Sequence, residues 1–265
     1  MPSPFVSMTL VGRLPLIDKD TILSTVQSEC GDDLGDISLV ESDGAQKAGD
    51  AVVLETDGGL VTIIFVSSPV PDGTLDKAIN TNLVWREAGK VLAGHKGHII
   101  VANLGGKDGL KGALASARLV SLVTASLLDL VPALGVYWSG GDAVSPPEKF
   151  ARSVADIDRQ LPLEIWLQLG FYTAEPLING QQPVGLITTG LAPFIGREID
   201  FVPTNASPVM VAQRVIGTAS YLLVQGVVFK DGETLGISKT ERISVGLIDG
   251  DVPVYRLRLE TQGVD

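Results

Sequence analysis

The stretch Ala51–Val52–Val53–Leu54–Glu55–Thr56–Asp57–Gly58–Gly59–Leu60–Val61–Thr62–Ile63–Ile64–Phe65–Val66 places two apolar runs on either side of Asp57–Gly58–Gly59. Aspartate and glycine accept the positive φ of a tight turn, so the stretch reads as a β-hairpin. Pro69 and Pro71 end its second strand. Upstream, Phe5, Val6, Met8, Leu10 and Val11 read as a first strand. Asp18 then caps a helix through about Glu29 with Ile22, Leu23 and Val26 on one face, closed by Gly31–Asp32–Asp33. Ile37, Leu39 and Val40 make another short strand. Downstream, a long helix is expected from about Thr74 to Ala93. Gly97–His98–Ile99–Ile100–Val101–Ala102 follows as a near-continuous apolar run, the pattern of a strand buried on both faces.

Strand, helix, strand, strand, helix, strand can thus be read across about residues 5–103, and again across about 134–238. The second copy runs through Leu134–Trp138, a helix opened by Pro146–Pro147, the alternating Leu163–Leu169, the stretch Val184–Val202, a helix from Pro208 to Val224, and Val227–Phe229. A hairpin over Ile243–Ile248 and Val252–Leu259 closes the chain. Ile64–Phe65–Val66–Ser67–Ser68 and Asp200–Phe201–Val202–Pro203–Thr204 lead into the two long helices alike, which suggests internal duplication. The expectation is an α+β protein of two ferredoxin-like βαββαβ units, with antiparallel sheets and helices packed on one face. Residues 1–106 form the first half, 107–133 an apolar connecting helix and 134–265 the second half with its hairpin, all in one compact body. A single larger mixed sheet with helices on one face is the rival architecture.

Lys and Arg number 20 against 31 Asp and Glu, a formal charge of −11, and no cationic run exceeds two residues. Binding to phosphate backbones needs clustered cations, so no nucleic-acid partner is expected, and anionic headgroups are repelled. The charge is compatible with a basic partner protein or a cation, although an acidic surface more often only keeps a protein soluble; a protein partner or a homodimer is the expected kind of contact. The single cysteine, Cys30, excludes an intramolecular disulfide and a structural thiolate zinc site. Its carboxylate neighbours raise a thiol pKa, so it reads as a bystander. The N-terminus lacks the basic start of a signal peptide, and Lys111, Arg118 and Asp129 interrupt the apolar segment Leu110–Val136. A cytoplasmic, soluble protein is expected.

The chain has two histidines, three apart, in His95–Lys96–Gly97–His98. Paired imidazoles are a common start of a transition-metal site, and a catalytic zinc would add a carboxylate such as Glu87 or Glu198. The competing reading is structural: His95 stands at a helix C-terminus, and His98 opens a buried strand. Gly105, Gly106, Lys107 and Gly109 lie in a glycine-rich strand-to-helix loop whose amides could cradle a phosphate. The loop lacks the Ser/Thr of a P-loop and the acidic partner of a dinucleotide fingerprint, and a plain connector fits it better. No resident cofactor is expected. Trp85, Trp138 and Trp166 read as core or interface anchors.

Trp85 and Ala88 followed by His95–Lys96–Gly97–His98–Ile99–Ile100–Val101 resemble the centre of the bacterial family catalogued as domain of unknown function 4261. Val136–Tyr137–Trp138, Glu164–Ile165–Trp166, Thr188–Thr189–Gly190–Leu191, Gly196–Arg197–Glu198–Ile199 and Asp231–Gly232–Glu233–Thr234 follow in that family's order. The likeness takes in about residues 5–240. It implies a bacterial cytosolic protein of a family without an established activity. The functional expectation is a non-catalytic binding or protein-interaction module. The alternative is a metal-dependent or acid–base enzyme using His95 and His98.

Overall fold

The computed structural model describes residues 5–40, 51–105, 108–175, 177, 181–236 and 241–261. The chain divides into two compact units, Met1–Trp166 and Leu167–Asp265. It is an α+β protein built on antiparallel pairing, in two separate sheets.

The N-terminal unit runs β1 (Val6–Val11), α1 (Lys19–Leu34), β2 (Ser38–Leu39), β3 (Ala51–Thr56), β4 (Gly59–Val66), α2 (Asp76–Asn80), α3 (Ala88–Leu92), β5 (Gly97–Asn103), α4 (Gly109–Leu128), β6 (Ala133–Trp138), β7 (Ala143–Ser145), α5 (Pro147–Ala155) and α6 (Leu163–Trp166). Its strands order as β2-β3-β4-β5-β1-β6-β7, every pair antiparallel. The expected hairpin is β3–β4: Thr56 closes the turn by accepting the Gly58 N–H and donating to the Gly59 carbonyl. Asp18 caps α1 by accepting the Thr21 N–H at 2.8 Å. The helix runs past Gly31, which costs only about 1 kcal/mol inside a helix, and stops at Gly35, where φ is +70°.

Helices cover both faces of this sheet, not one as expected. Ser7 on β1 bonds Thr124 of α4 at 2.5 Å, which sets the α1–α4 side. Leu10 on β1, of opposite parity, packs with Val70, Leu75, Ala78, Ala88, Leu92, Tyr137 and Val144 under α2 and α3. The central strands are apolar on both faces, so each face requires a cover. The expected long helix over 74–93 is broken at Asn82. Its side-chain oxygen accepts the N–H of Val84 and Trp85 while its amide donates to the Val144 carbonyl. A side chain that competes for backbone groups in this way stops a helix. Leu163–Trp166, expected as alternating strand, is a helical turn bonded back to Pro162, and the strand starts only at Gln168.

α4 is enclosed by α1, α5 and the sheet, and β6 beyond it pairs with β1. The division therefore falls at 166/167, against the 133/134 expected above, and α4 belongs inside the N-terminal unit. Among the described residues α4 is the one helix long and apolar enough to cross a membrane by length and composition, and most of it is buried.

The C-terminal unit runs β8 (Gln168–Thr173), β9 (Val184–Thr189), α7 (Ala192–Ile195), β10 (Glu198–Thr204), α8 (Pro208–Gln225), β11 (Thr234–Gly236), β12 (Glu241–Ile248) and β13 (Val254–Thr261). The order is β11-β12-β13-β10-β9-β8. One pair, β10–β13, is parallel, which departs from the wholly antiparallel expectation. In the N-terminal unit β1 and α1 lead into a four-strand meander, and an even count returns β5 antiparallel beside β1. Here β10 and α8 lead into three strands, and an odd count returns β13 parallel beside β10. A ferredoxin-like unit sets its first strand between its third and fourth. In the N-terminal sheet β5 lies instead between β4 and β1.

Candidate functional site

The two histidines are built into the backbone. His95, just past α3, donates from Nδ1 to the Leu92 carbonyl at 2.6 Å and accepts the Val70 N–H on Nε2 at 3.0 Å. That pair of bonds fixes the neutral tautomer and occupies both nitrogens. His98, the second residue of β5, donates from Nδ1 to the Ser68 carbonyl at 2.9 Å and is 5% exposed. Burial holds its pKa below the ordinary value, while the Ser68 bond opposes it. Together the rings pin the segment after β4 to β5. Glu87 sits exposed at the N-cap of α3 and makes no side-chain cap bond. No group of three or more metal-ligating side chains forms among the described residues.

Glu198, the other candidate carboxylate, belongs to the C-terminal unit and is buried. It accepts the N–H groups of Gly190, Leu191 and Ala192 at 2.9, 3.1 and 2.9 Å and the Thr188 hydroxyl at 2.6 Å. Its oxygens thus cap the start of α7 and tie β9 to β10. In the glycine-rich loop, Gly106 and Lys107 lie outside the described residues. Gly105 donates its N–H to Asn103, and Gly109 starts α4 at a φ of +81°.

The open feature of the C-terminal unit went unread in the sequence. α8 buries Val211, Val215, Ala219 and Leu222 against its sheet. Several apolar side chains remain outside: Val209 is 67% exposed near the start of α8, and Tyr221 47%, Val224 62% and Val228 73% at and beyond its end. Gln213 and Gly217 occupy the same face between Val209 and Tyr221 at four-residue steps. The recurrence of these residues was the available signal, hidden because the helix is apolar on its inner face as well.

Beside that face lies a cleft of about 490 Å³, walled by Arg214, Gly217, Thr218 and Tyr221 of α8 and by β11. Arg214 is held by a bidentate pair to Glu241 at 2.6 and 2.8 Å, which keeps the guanidinium charged and nearly neutralises it. The Tyr221 ring stacks on Phe229, centroids 6.3 Å apart, and Phe229 meets Tyr255 edge-on at 5.4 Å. On the sheet face away from α8, Asp200 accepts the Tyr172 hydroxyl at 2.6 Å and the Arg256 Nε–H at 3.0 Å.

Residues 187–256 match the model of the Domain of unknown function (DUF4261). Over that stretch the chain resembles the family. No curated protein and no solved structure matches the chain. The stretch resembling DUF4261 runs from the second half of β9 to the start of β13, and takes in the whole cleft. It includes the phrases at 188–191, 196–199 and 231–234, whereas those around Trp85, His95, Trp138 and Trp166 lie outside it. The first two phrases are the two sides of the Glu198 cap, so their chemistry in this fold is structural.

Proposed function

We propose that this chain is a non-catalytic protein-interaction module whose contact surface lies on the C-terminal unit. The observation that carries the reading is the group of exposed apolar side chains at the end of α8, Tyr221 and Val224 with Val228 beyond them, next to an open cleft that Tyr221 lines. Clustered exposed apolar side chains are the usual mark of a contact surface, whereas scattered single ones are not. The competing enzyme reading at His95 and His98 loses support because His95 has both nitrogens bonded to backbone and Glu198 is filled by four donors.

The test compares proteins captured by the wild-type chain and by a Val209→Asp/Val224→Asp variant of equal melting temperature. A captured protein lost with the variant supports the reading. Equal capture by both, or none by either, sinks it. We propose further that the two units descend from one strand–helix–meander module. The shared order β1–α1–meander and β10–α8–meander supports duplication of that core.

A further inference from the structure

The cleft has a wall of main chain. Among the described residues β11 is the edge of its sheet and is bonded on one side only, to β12. Opposed residues in an antiparallel ladder alternate between exchanging both backbone bonds and exchanging none. The Val245 N–H donates to the Glu233 carbonyl at 2.8 Å, so the next bonded pair two residues on is Leu235 with Ile243. Thr234 and Gly236 therefore turn their N–H and C=O away from β12, toward the open edge. α8 supplies the facing wall. Gly217 stands there with nothing within 4 Å of where a Cβ would be, and Tyr221 leans on Phe229 with its ring half exposed.

We propose, building on the interaction reading above, that an extended segment of a partner protein adds to β11 as a further strand and lays an apolar side chain between Gly217 and Tyr221. An edge strand beside a helix is a general geometry for strand addition, in which main-chain bonds give affinity and pockets for alternate side chains give selectivity. A helical occupant would leave the outward groups of Thr234 and Gly236 covered and unbonded, a penalty that an extended chain removes. The Arg214–Glu241 pair is closed on itself, so the cleft does not call for a charge at its centre. Arg214, Lys230 and Arg242 stand against Asp231, Glu233 and Glu241 around the cleft, so the inserted segment is matched by its main chain and one apolar side chain and not by a net charge. The 490 Å³ of space is in the range of sites that take a few side chains.

The test uses linear peptides of about twelve residues, selected from a random library on the full-length chain, with Kd read by fluorescence anisotropy. Thr234→Pro deletes an outward N–H while leaving the Leu235–Ile243 pair, a placement that edge strands accept. Gly217→Trp fills the cleft and leaves the strand alone. Each variant is expected to weaken the selected peptide by at least about tenfold while keeping the wild-type melting temperature. N-methylation of alternate peptide amides should weaken binding equally. Peptides that bind both variants as they bind wild type overturn the proposal, as does a library that yields no binder. The Val209→Asp/Val224→Asp variant then decides separately whether the interaction reading survives. A concentration-dependent dimer dissolved by Thr234→Pro overturns the proposal in another way, by giving the edge to a second copy of this chain.

Discussion

The Thr188 hydroxyl donates to Glu198 at 2.6 Å while its oxygen accepts the Ile199 N–H at 2.8 Å, so one side chain stitches β9 to β10 beside the cap of α7. Glu198→Gln keeps the shape and replaces one acceptor oxygen by an amide that cannot take an N–H. Hydrogen bonds to a charged group contribute about 1.5–3 kcal/mol each, and at least one is lost with a donor left facing a donor. Urea unfolding should show a loss of about 2–3 kcal/mol. An unchanged midpoint would show that this carboxylate is not a structural anchor and would reopen its candidacy as an acid or base.

Gly185 stands opposite Tyr172 in the β8–β9 ladder, and an added methyl there would sit 2.5 Å from the ring Cζ and 2.9 Å from the Phe201 carbonyl oxygen. The missing side chain is what lets the ring cross β9 and reach Asp200. Gly185→Ala should therefore displace Tyr172 and cost about 1–3 kcal/mol, as overpacking does. Burial and then the Asp200 bond hold the Tyr172 pKa far above the ordinary phenol value. Ultraviolet titration, read against Tyr172→Phe, should show this phenol moving back toward ordinary values in the alanine variant. A phenol that still titrates as in wild type would mean that the ring had not moved.

Much of the fold was legible where local pattern and burial agree. The Asp57–Gly58–Gly59 turn, the doubly buried β5, the Asp18 cap and the start of α8 at Pro208 all follow from neighbouring residues. What failed depends on partners distant in sequence. Asn82 breaks its helix because Val144, 62 residues away, offers a carbonyl. The place of β6 beside β1 follows from strand count and not from any motif. The His95–His98 spacing was visible, but their backbone acceptors and donor at Ser68, Val70 and Leu92 were not, and these turn a metal-like pair into a clasp. The cleft was hidden because an edge strand of three residues carries almost no sequence signal.

His98 ties stability to pH with a definite sign. Its folded pKa lies below the ordinary 6.5, with burial the main cause. The unfolded chain then binds the proton more readily, so the stability from keeping the ring neutral is present above about pH 6.5 and is lost as pH falls through the folded value. Melting temperature should drop on acidification below about 6.5. His98→Asn, which can still donate to Ser68, should flatten that drop relative to wild type. A His98→Asn profile parallel to wild type would assign the acid sensitivity to other groups.

Cys30 lies on the inner side of α1, buried, with its thiol directed at the Leu122 carbonyl of α4 at 3.6 Å. Burial first, then Asp33 and Glu29, push its pKa up to about 11 from 9.0. A two-unit rise lowers the thiolate fraction near pH 8 by about 100-fold, and the thiolate is the species that attacks disulfide reagents. The native protein should therefore react with an aromatic disulfide at least about 100-fold more slowly than the urea-unfolded chain, before any steric shielding is counted. Separating α1 from α4 exposes the sulfur, so the residual rate becomes a probe of that opening. Arg118 of α4 clamps the same contact through ion pairs to Asp33 and Asp158. Arg118→Met should accelerate the reaction while leaving the unfolded-state rate unchanged. Equal rates in the variant and wild-type folded proteins would place the opening elsewhere, away from the Arg118 clamp.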